Sequence, residues 1–408
     1  MTSISVRRPK APIRAVIDLP RSKSISNRAL ICAALAGDLS CVKDLSHADD
    51  TRILHDLLTE RPRVMHCGLG GTTFRFLLAW AAVQEAEEHV ITGDARLLER
   101  PHDDLLRALR SLGGDIERTN EGYRVRGRKL KGGEVVLDSP ISSQFISALM
   151  MIAPMMREGL RIAWKGRRLS EPYVHMTAKV MAHFGAQVDE RVDRIVIAPG
   201  SYRANALTVP PDWSAAAFWY EIAMLSPGAV IELKGLGRDG LQADARIHEF
   251  TEEWVRTEMD QEGTRVTGIE RKRRDEDAVQ GSSMDVKGTP DLFQPLAFGL
   301  SGLGIRCGFK GLDTLAHKES DRLNDTIAAL KRMRVTSERL GEWIRFTGKP
   351  EIPEAPFDPR GDHRMAMALA PLALVCDAIT ILDPDVVSKS YPKYWEDLDR
   401  AGFRIGRS

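Results

Sequence analysis

The chain is poor in cysteine, in long apolar runs and in net charge, and each shortage closes off a class of protein. Its five cysteines, Cys32, Cys41, Cys67, Cys307 and Cys376, are odd in number and widely spaced, with no C-x-x-C. Neither a disulfide framework nor a zinc site fits that pattern, and buried free thiols are expected. The most apolar run, Phe145 to Met156, is broken by Pro154 and is too short to cross a bilayer. Met1 to Lys10 carries no apolar signal-peptide core, so a cytoplasmic protein is expected. The 58 Lys and Arg against 57 Asp and Glu leave a formal net charge of +1, too little for a general field that draws in nucleic acid. No H-E-x-x-H, Walker A or G-x-G-x-x-G occurs. That removes the common metalloprotease, P-loop and nicotinamide classes and advertises no metal or cofactor.

What is present is an ordinary globular composition, 43% hydrophobic and 28% charged over 408 residues, long enough for two domains of roughly 200 residues each. Ala15-Val16-Ile17-Asp18-Leu19 reads as a strand and Arg28 to Leu35 as a helix. Between them lies Pro20-Arg21-Ser22-Lys23-Ser24-Ile25-Ser26-Asn27, two cations and three hydroxyls at a strand-to-helix junction. Free backbone N–H groups and the helix dipole face the same place as Lys23 and Arg28, which suits a phosphate or carboxylate. An N-cap serine with surface charges is the plainer alternative.

The theme recurs. Val135-Val136-Leu137 precedes Ser142-Ser143-Gln144-Phe145, Ala206 to Pro210 precedes Asp212-Trp213-Ser214, and Met284 to Pro290 precedes Asp291-Leu292-Phe293. Looser copies are Arg63 to Gly68 before Gly71-Thr72-Thr73-Phe74-Arg75, and Pro356-Phe357-Asp358-Pro359 before Asp362-His363-Arg364-Met365. The turns fall roughly 70 residues apart, one small α/β unit each and far longer than a solenoid repeat.

Convergence of the helix starts would gather Lys23, Arg28, Arg75, Ser142, Ser143, Gln144, Asp291 and Arg364. Guanidinium groups bind carboxylate or phosphate bidentately, lysine acts as a point charge, and Ser and Gln suit a polyhydroxylated ring. The expected ligands are therefore small and multiply anionic. Leu315-Ala316-His317-Lys318-Glu319-Ser320-Asp321-Arg322 places Lys318 and Arg322 on one face if helical, and Val387-Ser388-Lys389-Ser390-Tyr391-Pro392 supplies a loop lysine. Asp291 and Glu319 are candidate acid/base groups, and the residues alone do not decide which donates. His363 suits either a proton carrier or a structural role. The mixed-charge run Glu270 to Asp277 reads as a solvated excursion, and Met150-Met151 and Met155-Met156 as core filler.

Together these motifs resemble the enolpyruvyl transferase family from end to end. The residues that carry the resemblance are Lys23-Ser24-x-Ser26-Asn27-Arg28, Gly71-Thr72-x-x-x-Arg75, Glu99-Arg100-Pro101, Ser142-Ser143-Gln144-Phe145, Ser170-Glu171-Pro172-Tyr173, Pro290-Asp291, Lys318-Glu319-Ser320-Asp321-Arg322, Asp362-His363-Arg364-Met365 and Ser388-Lys389-Ser390-Tyr391-Pro392. The resemblance implies an inside-out α/β barrel of two domains, each with three βαβαββ units, helices inside and sheets outside. The crossings would fall near 20–21 and 211–212. Residues 21–211 would then form a shikimate 3-phosphate domain, and 1–20 with 212–408 a phosphoenolpyruvate domain whose closure excludes water.

By motif, shikimate 3-phosphate would be held by Lys23, Ser24, Arg28, Ser142, Ser143, Gln144, Tyr173, Asp291, Thr314 and Lys318. Phosphoenolpyruvate would meet Lys23, Gly71, Arg100, Gln144, Arg322, Arg364 and Lys389. The implied chemistry is attack of the 5-hydroxyl on C2 of the enol and protonation at C3, through a tetrahedral intermediate that loses phosphate on the route to chorismate and the aromatic amino acids. No cofactor or metal is implied, and a monomer is expected. Asp291 is the implied base, and Glu319 or Lys23 the group serving the methylene carbon. Two positions depart from the family pattern: Leu69 and Thr314 stand where asparagine is usual. Leu69 removes a polar contact near phosphoenolpyruvate, whereas Thr314 keeps a hydroxyl. Gly71 leaves the room that admits the inhibitor glyphosate in this family. The UDP-N-acetylglucosamine branch, a rival reading, places a cysteine a few residues before Arg-Pro, and Gly93 to Pro101 has none. A non-catalytic anion-binding relative would not need Lys23, Asp291, Glu319, Arg364 and Lys389 together.

Overall fold

The computed structural model describes residues 2–138, 143–165, 171–270, 283–353 and 355–408. Ser142, Ser170 and most of the charged run after Glu270 lie outside the described residues. The chain divides into two compact units, Arg21–Val209 and Met1–Pro20 with Pro210–Ser408.

In the unit Arg21–Val209, the helices Lys23–Ala36, Gly71–Ala82 and Ser143–Ile152 are buried nearly all round, whereas Asp49–Glu60 and Asp103–Ser111 bury one face. Gly71–Ala82 buries every residue but Thr72, whereas Arg194–Ile197 alternates half-buried and buried positions. A helix that is apolar on every side belongs in an interior, and an alternating strand belongs on its rim. Two four-stranded sheets form that rim. One runs Val64–His66, Glu88–Thr92, Tyr123–Arg126, Asp115–Arg118, and the other Val188–Glu190, Arg194–Ile197, Leu160–Lys165, Gly133–Asp138. A two-stranded parallel pair, Val42–Lys43 with Leu207–Thr208, completes the set. Lys23–Ala36 ends at Gly37, whose φ of 85° lets its N–H turn back to Ala33 and Ala34 carbonyls.

The other unit is organised alike around one apolar core that includes Trp213, Phe218, Trp219, Phe293, Phe309 and Tyr394. Arg14–Ile17 pairs in parallel with Val230–Lys234, so the start of the chain enters this unit's sheet. Ser3–Arg7 lies between Ala378–Leu382 and Arg404–Arg407, antiparallel to both, which ties the start of the chain to its end. A four-stranded sheet, Ser283–Asp285, Cys307–Lys310, Trp343–Thr347, Thr336–Leu340, supplies the third layer. Among the described residues the sheets are thus not uniform: four have four strands, one has three and one has two.

The Pro356–Pro359 copy of the repeat forms no strand; Phe357 contributes a single bridge to Ile381, because Pro356 and Pro359 deprive that stretch of ladder donors. All five cysteines are buried and free. Met150, Met151 and Met156 are core residues. Among the described residues no helix is long and apolar enough to cross a membrane.

Candidate active site

In the unit Arg21–Val209, Lys23–Ala36 packs against the helices Asp49–Glu60, Gly71–Ala82, Ser143–Ile152 and Glu171–His183. Lys23 Nζ lies 3.2 Å from Asp50 Oδ2. Arg28, one turn on and 3% exposed, donates from Nε to Thr177 Oγ1 at 2.7 Å, from Nη1 to the Ser24 carbonyl at 2.8 Å and from Nη2 to Ser147 Oγ at 3.3 Å. Its guanidinium also lies over the rings of Phe76 and Tyr173. These partners are neutral, and burial lowers Arg28 to about 10. A buried cation held this way gains most from an incoming anion.

Gly71 opens the neighbouring helix. A Cβ there would stand 2.6 Å from Arg100 Nη1 and 2.9 Å from Arg75 Nη1, so both guanidiniums lie against it. Arg75 donates to Gln144 Oε1 and to the Pro101 carbonyl. His102 feels the same charges: burial first, then Arg75 and Arg100, lower it to about 4, so it stays neutral at physiological pH. Ser143 is buried at the start of Ser143–Ile152, Tyr173 lies in the first turn of Glu171–His183, and Leu69 is 38% exposed just before the Gly70 cap.

The second unit gathers a denser constellation. Asp291, on the turn Pro290–Leu292, accepts from Arg322 Nη1 at 2.7 Å and Lys318 Nζ at 3.5 Å on one oxygen, and from Arg364 Nη2 at 3.0 Å on the other. Burial works to raise its carboxyl, but Arg364, Lys318 and Arg322 prevail and hold it well below the usual range. Glu319 Oε2 accepts from Arg322 Nη2 at 2.7 Å. His363 is buried, its Nδ1 3.8 Å from Asp362 Oδ1. Lys389 is also buried, at the end of the short helix Pro384–Lys389 and not in an open loop. Thr314 Oγ1 is buried with no hydrogen-bond partner.

Lys318 to Arg322 is not one helix. Lys318 follows the turn Leu315–His317 in extended backbone, and Asp321 caps a new helix beginning at Arg322 by accepting from Asn324 N at 3.2 Å. The two cations meet on Asp291 through this break and not through helical spacing. Two residues of these sites escape the sequence reading: Asp50 beside Lys23, and Asp362 beneath Arg322 as a structural hub. Asp362 had a legible signal as the cap before His363-Arg364; Asp50 had none.

The fold is that of the enolpyruvyl transferases. It superposes on the enolpyruvyl transferase NikO from Streptomyces tendae with a TM-score of 0.72 at 14% identity, covering 100% of this chain and 99% of that one. The EPSP synthase structure from Acinetobacter baumannii gives 0.77 at 21%, covering 100% of both. The family profile described as EPSP synthase (3-phosphoshikimate 1-carboxyvinyltransferase) matches residues 7–61 and 54–398. A 3-phosphoshikimate 1-carboxyvinyltransferase from Bacteroides fragilis (strain YCH46) is 40% identical over 404 residues, 96% of each chain. The chain belongs to the EPSP synthase family.

Proposed function

We infer that the chain transfers the enolpyruvyl group of phosphoenolpyruvate to the 5-hydroxyl of shikimate 3-phosphate and releases phosphate, the 3-phosphoshikimate 1-carboxyvinyltransferase reaction. The observation that carries its chemistry is Asp291, a buried carboxylate kept ionised by Arg322, Lys318 and Arg364. An ionised carboxylate among cations can take the proton of a hydroxyl while the cations hold the phosphate or carboxylate of a reactant.

Asp291 is assigned as the base for the 5-hydroxyl as that oxygen bonds to C2 of the enol. Glu319 or Lys23 delivers the proton to C3 to complete the tetrahedral adduct, and a proton then leaves C3 to the same group as the C2–O bond to phosphate breaks, restoring the enol double bond. In Arg21–Val209, Lys23, Ser24, Arg28, Ser142, Ser143, Gln144 and Tyr173 are assigned to shikimate 3-phosphate, with the neutral-partnered Arg28 as support for an anion there. Gly71 and Arg100, with Lys23 and Gln144, are assigned to phosphoenolpyruvate. From the other unit, Thr314, Lys318 and Asp291 serve the first substrate, and Arg322, Arg364 and Lys389 the second. His363 is assigned to the catalytic group. Glyphosate is the expected inhibitor, and the enzyme is assigned as a cytoplasmic monomer.

Phosphate release on mixing the protein with both substrates tests the reading, run beside Lys23→Met and Asp291→Ala. Activity in the parent and its loss in both variants is expected. A folded parent that releases no phosphate overturns it.

A further inference from the structure

His102 directly follows Glu99-Arg100-Pro101 and precedes the helix Asp103–Ser111, yet it is 2% exposed. A polar side chain in that place usually caps the helix, but the imidazole makes no cap bond and turns back to the loop before it. Its Nε2 lies 3.0 Å from the Leu97 carbonyl, which can only accept, so Nε2 carries the hydrogen and donates. Nδ1 is buried with no hydrogen-bond partner. The ring packs on Phe74, centroids 4.5 Å apart, and meets Tyr123 edge-on at 6.4 Å. An apolar side chain would fill this space without stranding a polar atom, so packing alone does not account for an imidazole here. What the imidazole adds is the bond to Leu97.

That bond crosses the turn that carries Arg100. The Leu97 carbonyl also accepts from Arg100 N at 3.2 Å, so one oxygen gathers the Arg100 backbone and the His102 ring. Upstream, Asp94 N donates to the Gly68 carbonyl at 2.9 Å. Downstream, the Pro101 carbonyl accepts from Arg75, the neighbour of Phe74 on the helix Gly71–Ala82. From this turn the Arg100 guanidinium reaches Gly71, where an added Cβ would stand 2.6 Å from Nη1. The guanidinium ends a long side chain, so a small rotation of the turn displaces it further than the backbone itself moves. A shift of about 1 Å is enough to weaken its hold on a reactant.

We propose that His102 is a positioning residue for Arg100, its Nε2–H bond to the Leu97 carbonyl holding the turn so that the guanidinium meets the anionic groups of phosphoenolpyruvate beside Gly71. The proposal rests on the assignment of Arg100 to that substrate. It separates two properties of the side chain, the donor and the ring, and assigns the effect on phosphoenolpyruvate to the donor.

Two variants part them: His102→Phe keeps a ring on Phe74 without a donor, and His102→Gln keeps an N–H donor at similar reach without a ring. Initial rates of phosphate release give KM and kcat for each. In His102→Phe, KM for phosphoenolpyruvate is expected to rise about tenfold, the loss of one hydrogen bond, with kcat within about twofold of the parent. In His102→Gln, KM should stay within about threefold of the parent. Calorimetry with shikimate 3-phosphate alone should give the same affinity in all three proteins. If His102→Phe does not fold, His102→Met, apolar and adaptable in shape, takes its place with the same expectation. An unchanged KM in the donor-free variant, or a rise in His102→Gln as large as in it, overturns the proposal. So does a loss of affinity for both substrates alike, which is the mark of a merely structural role. A folded parent that releases no phosphate overturns the transferase reading, and the proposal with it.

Discussion

Arg322 and Asp362 form a buried ion pair in which Nε donates to Oδ2 at 2.7 Å, the arginine 1% and the aspartate 0% exposed. The same carboxylate accepts from Arg364 N at 2.9 Å and caps the helix His363–Leu369. One side chain thus fixes two guanidinium-bearing segments that both reach Asp291. Burial disfavours the charge on Arg322, but Asp362, Glu319 and Asp291 outweigh it and keep the guanidinium cationic.

Removing that carboxylate should therefore damage both fold and site. Asp362→Ala leaves the buried Arg322 Nε without its acceptor and a helix start without its cap, and is expected to cost about 3–5 kcal/mol. Asp362→Asn keeps a cap and an acceptor and should cost less, while Arg322 loses one of its three carboxylate partners. Urea denaturation followed by tryptophan fluorescence measures the first effect, and kcat/KM for both substrates the second. Equal stability in parent and Asp362→Ala would contradict the hub role.

Glu221 makes the opposite prediction. It is 1% exposed in the core, with neither carboxyl oxygen hydrogen-bonded, and burial pushes its carboxyl well above the ordinary 4.5. The fold therefore prefers it protonated: its stability contribution is full below 4.5 and declines as pH rises toward the folded value. The slope over that window is about 1.4 kcal/mol per pH unit. Glu221→Gln removes the slope, and Glu221→Leu also removes the unpartnered polar atoms, worth about 1–3 kcal/mol. Thermal melts should show Glu221→Leu more stable than the parent, with a gain that widens from about pH 5 to about pH 8. A gain that stays constant with pH would place the ionisation elsewhere.

Much of this was legible in the sequence because local chemistry marks it. Proline, serine and aspartate punctuate the helix starts, and the Asp362 and Asp212 caps bond to backbone N–H as those residue types do. The convergence of Lys318, Arg322 and Arg364 on Asp291 was half legible. The residues were named, but a charged run of spacing four reads as one helix, and only the cap bond from Asn324 to Asp321 shows that the helix starts later. Asp50 was illegible because its meaning comes from Lys23, which is distant in sequence. Phe357 failed as a strand because turn residues on both sides outweigh an apolar pair.

Leu69 offers an exposed apolar side chain two residues before Gly71, the residue against which Arg75 and Arg100 lie. Leu69→Asn replaces it with an amide donor at a helix N-terminus. A hydrogen bond to a charged group is worth about 1.5–3 kcal/mol, so KM for phosphoenolpyruvate is expected to fall about tenfold or more. Initial-rate kinetics with shikimate 3-phosphate saturating would measure it. An unchanged KM would mean that backbone N–H groups already satisfy the anion there.

Gly71→Ala should separate stability from binding. In an exposed helix this exchange usually stabilises by about 1 kcal/mol, because alanine has less backbone freedom to lose. Here the added methyl meets Arg100 Nη1 at 2.6 Å and Arg75 Nη1 at 2.9 Å. Both contacts are with ends of flexible side chains, so the fold can accommodate them by moving the guanidiniums. Of the displaced guanidiniums Arg100 is assigned to phosphoenolpyruvate, and Arg75 holds Gln144, which is assigned there too. Melting temperature should therefore stay level or rise while KM for phosphoenolpyruvate increases, and inhibition by glyphosate should weaken with it. The affinity for shikimate 3-phosphate, measured by calorimetry on that substrate alone, should move little, since Arg28 is held by Thr177, Ser24 and Ser147 and not by Gly71. A variant that melts earlier and loses affinity for both substrates alike would instead show that the methyl distorts the helix start, and the guanidinium displacement would not be the cause.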